Sequence, residues 1–363
     1  MRVNFKEGES EMKINKLTIN SFRGLKTALF DGLTRMNYVV GENNSGKTSV
    51  LEAIVTGGCY SDINMLVDTV FARNQKRFLE GARNMLVPQK GSNSSILVEF
   101  DDDHTISTDI SCVEDEKIVQ NDKGVQKIKL LTVNFSCEDI TDTEKKPVSF
   151  WFNFEHTSQT KTTIRRDPSI SQKNLRNIPC QFVSFSRFDR TDKILEALDN
   201  IFVNNQRGSL LKVLQIFDPD VINFEVVGTE RQIMVFKKQE DHELALYLND
   251  YGNGMYKAFY IACTALLSEN GILLLDELEA GIHHKALVEF VSFLDEISKE
   301  KNIQLFITTH SLELLDIAGG THNSDSMNVY NIKMKKENGN TIVKLLKKED
   351  FDYLRNELEV DVR

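Results

Sequence analysis

The eight residues Gly41-Glu42-Asn43-Asn44-Ser45-Gly46-Lys47-Thr48 constrain this chain more than any other stretch. They complete the spacing G-x-x-x-x-G-K-[ST]. The apolar run Asn37-Tyr38-Val39-Val40 precedes them, and KTSVLEAI, with Val50, Leu51 and Ile54 on one helical face, follows. Strand, glycine-rich loop and helix in that order make an anion cradle. The glycines let the backbone wrap an anion with its N–H groups, and the helix N-terminus adds positive dipole. Lys47 then reaches the terminal phosphates of a nucleotide, and the Thr48 hydroxyl can ligate magnesium. Ser49 reads as helix surface whose backbone N–H still reaches a phosphate.

A phosphate cradle does not name a reaction, and two further stretches narrow it. In Gly271-Ile272-Leu273-Leu274-Leu275-Asp276-Glu277, four apolar residues deliver two carboxylates to the end of a buried strand. An α/β sheet places its ligands at such ends. Asp276 is read as the metal-site residue and Glu277 as the base that orients or deprotonates an attacking water, because phosphoryl transfer needs positioning and charge neutralisation. Glu279 reads as a solvated turn residue. The apolar strand Leu305-Phe306-Ile307 ends in Thr308-Thr309-His310-Ser311. If it neighbours the strand of Asp276, the His310 imidazole can donate to a γ-phosphate and sense its loss. His283 and His284 do not read as a metal pair.

Length and charge bound the rest. At roughly 150 residues per domain, 363 residues allow two domains or one large domain with an insertion, and 40% hydrophobic content excludes a disordered chain. With 44 Lys+Arg against 54 Asp+Glu, the net charge of -10 excludes a broad cationic surface but not a local basic groove. The longest apolar runs fall far short of the ~20 residues that cross a bilayer. The N-terminus has no signal-peptide core, and five scattered cysteines form no metal or redox pair. A cytoplasmic protein with no membrane partner is expected. The polar residues 1–11 read as a leader, and helical pieces are expected from Asn64 to Leu86.

From Ser95 to Phe154, the segments SILVEF, HTISTDI, KIKLLTVNF and VSFWFNF, separated by acidic or Lys-rich turns, predict an antiparallel sheet. Residues 155–178 read as a polar loop. Helical spacing runs from Asp192 to Phe217, followed by strands at Ile222 to Val227 and Gln232 to Phe236. Beyond Met255, strands and helices alternate, which predicts a parallel α/β sheet.

These motifs resemble the ABC-type ATPases of the RecF, SMC and OLD group, most closely small bacterial AAA family ATPases akin to the ATPase subunits of phage-defence systems. Ile19-Asn20-Ser21-Phe22-Arg23-Gly24-Leu25 is similar to the family's N-terminal NFRG strand. GENNSGKTSVLEAI resembles its Walker A, LLLDELEAGIHH its Walker B and D-loop, and ITTHS its His switch. The resemblance implies a P-loop NTPase head of the ABC-ATPase kind with a mixed sheet, plus an inserted β-rich and helical lobe. The expected parts are a leader (1–11), the N-terminal part of the head (12–60), the lobe (61–240) and the C-terminal part of the head (241–363).

The resemblance also implies ATP and Mg2+ as cofactors and a homodimer or higher oligomer formed head to tail. Each nucleotide would lie between one Walker A and the partner's signature motif, here Leu248-Asn249-Asp250-Tyr251-Gly252-Asn253-Gly254-Met255. Gly252, Asn253 and Gly254 would then approach a γ-phosphate. Arg23 resembles the family's nucleotide-side arginine, with a surface arginine as the alternative. Ser184 and Ser186 both fit the place of the family's metal-sensing polar residue.

The chain ends at Arg363 soon after the last ATPase strand, so a TOPRIM nuclease domain is not expected and a separate effector or nuclease is. The function implied is a nucleotide-driven dimeric switch in anti-phage defence. The alternatives are a RecF-like repair ATPase binding DNA or RNA, and an ATP-bound scaffold sequestering a toxin. The pairs Arg165-Arg166, Lys335-Lys336 and Lys347-Lys348 are the basic clusters that could meet phosphates, or else solvated turns.

Overall fold

The computed structural model describes residues 13–58, 93–121, 124–142, 144, 146–158, 161–166, 178–184, 191–229, 231–240, 242–323, 325–334 and 340–363. The expected leader, the helical pieces from Asn64 to Leu86 and the pair Lys335-Lys336 lie outside them. Two compact units are formed, one from Met1–Leu33, Gly41–Cys180 and Ile332–Leu345, the other from Thr34–Val40, Gln181–Asn331 and Leu346–Arg363.

The first unit carries a seven-stranded sheet. Its strands are β1 (Ile14–Phe22), β2 (Leu25–Phe30), β4 (Ser94–Phe100), β5 (Thr105–Asn121), β6 (Gly124–Asp139), β7 (Val148–Ser158) and β8 (Lys161–Arg166), in the order β2-β1-β4-β5-β6-β7-β8; β3 (Met36–Val40) belongs to the other unit. Every neighbouring pair is antiparallel. Alternation turns Leu17, Ile19, Ile96, Val98, Val133, Phe135, Phe150, Phe152 and Phe154 inward, all buried. Helix α1 (Lys47–Gly58) packs close to the sheet: a Cβ on Gly57 would come within 2.3 Å of Ile96 Cγ2.

Two sequence expectations fail in this unit. The acidic stretch after HTISTDI is strand rather than turn, because β5 continues to Asn121 and its Glu116 meets lysines on β6. Glu116 is in register with Lys129, and Lys127 Nζ lies 3.6 Å from Glu116 Oε2. The loop expected at 155–178 is strand to Ser158 and again over Lys161–Arg166, where the β-branched Thr162, Thr163 and Ile164 pair with His156, Glu155 and Phe154.

A six-stranded sheet of order β16-β15-β3-β14-β13-β9 has β9 (Cys180–Ser184), β13 (Ile272–Asp276), β14 (Gln304–Thr308), β15 (Met327–Met334) and β16 (Thr341–Lys347), and its strands β3, β13 and β14 lie in the second unit. The central pairs β13/β14, β14/β3 and β3/β15 are parallel. All five residues of β3, β13 and β14 are buried, as in a sheet covered on both faces. The helices are α2 (Thr191–Val203), α3 (Arg207–Phe217), α4 (Asn253–Leu266), α5 (His284–Glu300), α6 (Leu312–Thr321) and α7 (Lys348–Asp352). A second sheet runs β10 (Val221–Val227), β11 (Gln232–Gln239), β12 (His242–Tyr247).

The helical run expected from Asp192 to Phe217 is two helices. Asn205, in the left-handed region at φ 59, breaks it, and the Gln206 N–H bonds back to Ile201. The sequence also hid β12, whose HELALY has no residue buried. No helix among the described residues is long and apolar enough to cross a membrane.

A buried polar network fastens β3 to α5 within this unit. His322 Nδ1 donates to Asp295 Oδ1 at 2.9 Å, Tyr38 donates its hydroxyl proton to His322 Nε2 at 2.8 Å, and Arg35 donates to Asp295 Oδ1 at 2.8 Å. The carboxylate only accepts, which sets the histidine tautomer. Burial lowers the His322 pKa against the pull of Asp295. Burial pushes Asp295 up, but bonds from Lys299 and Arg35 hold its carboxyl below the usual range.

Candidate functional site

In the first unit, the loop Gly41–Thr48 has the backbone that an anion cradle needs. Gly41 (φ 149), Asn44 (φ 62) and Gly46 (φ 98) all lie at positive φ. A Cβ on Gly41 would meet Ile332 O at 2.4 Å and Ser45 Oγ at 2.7 Å, and one on Gly46 would meet Leu25 Cδ2 at 2.6 Å. Both positions therefore admit glycine alone. Lys47 is 6% exposed, and its ammonium donates to Gly41 O at 2.8 Å and Glu42 O at 2.9 Å. The Ser45 hydroxyl is buried without a partner. Glu42, Asn43 and Asn44 are exposed and Thr48 is half-buried, whereas Ser49, expected at the helix surface, is buried because α1 packs against the sheet. Because α1 starts at Lys47, its first N–H groups have no acceptors inside the helix. Arg23 (φ 48) turns its guanidinium onto the buried carboxylate of Glu52 on α1, so this arginine is an interior ion pair.

In the second unit, the carboxyl ends of β13, β14 and β3 lie along one edge of the sheet, with Leu275 in register with Ile307 and Thr308 with Val39. The Asp276 carboxylate there accepts at both oxygens. Thr308 Oγ1 donates to Oδ1 at 2.7 Å and Ser184 Oγ to Oδ2 at 3.2 Å. A carboxylate offers about four lone-pair positions, and these two hydroxyls fix the orientation of the Asp276 carboxylate at the end of β13. Thr308 Oγ1 also accepts the Glu277 N–H at 2.9 Å. Glu277 itself sits at φ 51, a conformation costing on the order of 1 kcal/mol for a non-glycine residue, with its side chain exposed.

His310 follows β14, half-buried. Its N–H donates to Glu279 Oε1 at 2.8 Å, and its carbonyl accepts from Arg363 at 2.9 Å. The expectation of a solvated Glu279 is corrected here: Oε1 is engaged, and Oε2 is buried without a partner. His283 caps α5 by accepting from Lys285 N at 3.4 Å, and His284 pairs with Glu313 at 2.5 Å.

The signature-like stretch is a short turn over Leu248–Tyr251, then Gly252 at φ 97, then α4, whose N-terminus has no side-chain cap. On α4 the sequence reading passed over Lys257. It is 1% exposed, and its ammonium donates to Glu277 O at 2.6 Å and Ala280 O at 3.0 Å. Burial lowers its pKa to about 8, opposed by the charges of Glu279, Glu277 and Asp276. The clue lay in the helical period: Lys257 shares a face with Ile261, a core position where a lysine is costly unless bonded. Of the basic clusters, Arg165 is exposed beside Glu155 at 3.4 Å, whereas Lys348 is buried against Asp352, which corrects its reading as a solvated turn.

Comparison with known proteins finds ATPase domains. A family described as "AAA ATPase domain" matches residues 12–184, and one described as "AAA domain, putative AbiEii toxin, Type IV TA system" matches residues 157–316. An ATP/GTP phosphatase of Helicobacter pylori is 24% identical over 334 residues, covering 84% of this chain and 87% of that protein. An uncharacterized protein of Methanocaldococcus jannaschii is 34% identical over 113 residues, 31% of this chain and 98% of that protein. A solved SMC head bound to the C-winged helix domain of ScpA covers 96% of this chain and 99% of its own, with a TM-score of 0.50 at 12% identity, a likeness of fold. With its phosphate loop, its acidic strand and its two matches to AAA-domain families, the chain is an AAA-domain ATPase whose α/β fold is like that of an SMC head.

Proposed function

We propose that the chain binds ATP with Mg2+, hydrolyses it, and uses the cycle as a dimeric switch controlling a separate effector or nuclease in bacterial anti-phage defence. The observation that carries this reading is the loop Gly41–Thr48, whose glycines cannot carry a side chain and whose lysine is held inside it. Backbone N–H groups of Gly41 to Ser49 would take phosphate oxygens, and Lys47 would exchange its two carbonyls for them. Thr48 and Asp276 would hold the magnesium, which neutralises phosphate charge when bound. Glu277 would take a proton from the water that attacks the γ-phosphorus, and His310 would donate to the γ-phosphate. ADP and phosphate leave. Arg23 would act through Glu52, fixing the helix that carries Lys47 and Thr48. Gly252, Asn253 and Gly254 of a second copy would close on the nucleotide, because an uncapped helix start attracts anions.

The phosphatase name of the Helicobacter pylori relative supports turnover, and the toxin–antitoxin description of one matching family supports a defence setting. The net charge of -10 and the pairing of Lys348 with Asp352 favour a protein partner over a nucleic acid. A cytoplasmic location fits the same reading. Phosphate release from ATP by the purified chain, with sedimentation in the presence and absence of ATP, tests it: turnover and ATP-dependent association are expected. Absence of both overturns the switch. For defence, cells carrying the gene with its native neighbours should plate phage poorly unless Lys47 is replaced by Ala, and equal plating would remove that role.

A further inference from the structure

Lys257 ties two functional segments of one chain together. It lies on the first turns of α4, three residues after Gly254, and is almost fully enclosed. A methionine would fill the same space without the cost of burying an ammonium. What the ammonium adds is two bonds, to the carbonyls of Glu277 and Ala280 in the loop that follows β13. A second contact joins the same segments: a Cβ on Gly254 would come within 2.3 Å of Gly281 O, so the start of α4 rests directly on the backbone of that loop.

The loop needs such a hold. Glu277 is in the left-handed region at φ 51, a conformation that persists only where its surroundings fix it. Its N–H is fixed by Thr308 and its carbonyl by Lys257, while its carboxylate stays exposed. Glu279, two residues on, bonds the N–H of His310, so the same loop also reaches the segment after β14. The charged groups facing the ammonium are Glu279, Glu277 and Asp276.

We propose that Lys257 is a positioning residue for Glu277, making the first turns of α4 and the loop 277–282 one body, so that a nucleotide engaging the start of α4 sets the aim of the Glu277 carboxylate. The proposal rests on the switch reading above for its nucleotide, but its mechanical half stands on bonds within one unit.

The test uses the full chain and two readouts. In Lys257→Met, amide hydrogen exchange over residues 277–281 should rise about tenfold or more while the strands of the sheet keep their protection. In the same variant, kcat for ATP should fall by about tenfold or more, since small misplacements of catalytic groups are costly. The KM and the thermal stabilisation by ATP should stay at wild-type levels. Lys257→Arg, which keeps a cation able to donate to both carbonyls, should recover most of the rate. Unchanged exchange in Lys257→Met, or a parallel loss of kcat and ATP affinity that Arg does not restore, overturns the proposal. If the Met variant does not fold, Lys257→Gln is measured in the same way and judged by the same outcomes. An inactive wild type would overturn the ATPase reading instead, and the exchange result then decides the role of Lys257 alone.

Discussion

The phosphate loop and the loop after β13 solve the same problem, holding a strained backbone in place, by opposite means. Gly41–Thr48 is nearly self-contained: its shape comes from glycines at positive φ, and its lysine bonds carbonyls five and six residues away. Asp276–Ala280 is held from outside, by Ser184 on β9, Thr308 on β14 and Lys257 on α4. A self-contained loop writes its geometry into contiguous sequence. A loop held from outside scatters it over more than a hundred residues of chain, where no spacing rule collects it.

The two loops should therefore fail differently. Glu277→Gln should lower kcat by on the order of 10²–10⁴, the usual range for a lost general base, with ATP binding retained and the associated form trapped in sedimentation. Unchanged turnover would remove Glu277 as the base. Lys47→Ala should weaken ATP on the order of a hundredfold by equilibrium binding, the scale of a lost charged hydrogen bond; retained affinity would mean that the self-contained loop is not the nucleotide's seat.

Thr308→Val keeps the side-chain shape but strips the hydroxyl from both Asp276 and Glu277. It should cut kcat by about tenfold and cost roughly 1–3 kcal/mol in denaturant titration for the partners left unmatched. If neither changes, the idea of an externally held loop fails. Ser184→Ala removes one weaker bond to Asp276 and should change kcat by only about two- to fivefold; a larger loss would promote Ser184 over Thr308.

The smallest effect concerns stability away from both loops. The folded-state pKa of His322 is depressed, so its contribution is complete above the unfolded value of about 6.5 and is lost as pH falls toward the folded one. Asp295, also depressed, adds a second loss below about 3.9. The melting midpoint should accordingly begin to drop below about pH 6.5, and His322→Gln should flatten that first step. A flat wild-type curve across that range would exclude the network as the acid-sensitive element.

The contrast also accounts for what was legible beforehand. The strands β3, β13 and β14 and the helices after them announced themselves through short apolar runs and helical periods, because a parallel sheet buries both faces. The charged half of β5 did not, since Glu114-Asp115-Glu116-Lys117 is an unbroken run of charges with no apolar alternation to mark a strand. Lys257 was passed over and Glu279 was read as solvated for a related reason. A charged side chain is ordinarily at the surface, and only the fold reveals the carbonyls and N–H that receive it.

The position of β3 has a consequence for how the protein is made. Met36 pairs with Leu305 on one side and Met327 on the other, so this apolar strand has both neighbours near the far end of the chain. Roughly 270 residues separate Met36 from the first of them, which at about 5–20 residues per second is on the order of ten to sixty seconds of synthesis. The pairing of β5 with β6 needs no such wait, since the two strands are neighbours in the chain. The ribosome thus releases Met36–Val40 early and unpaired, and the segment leading into the phosphate loop is among the last to find its place.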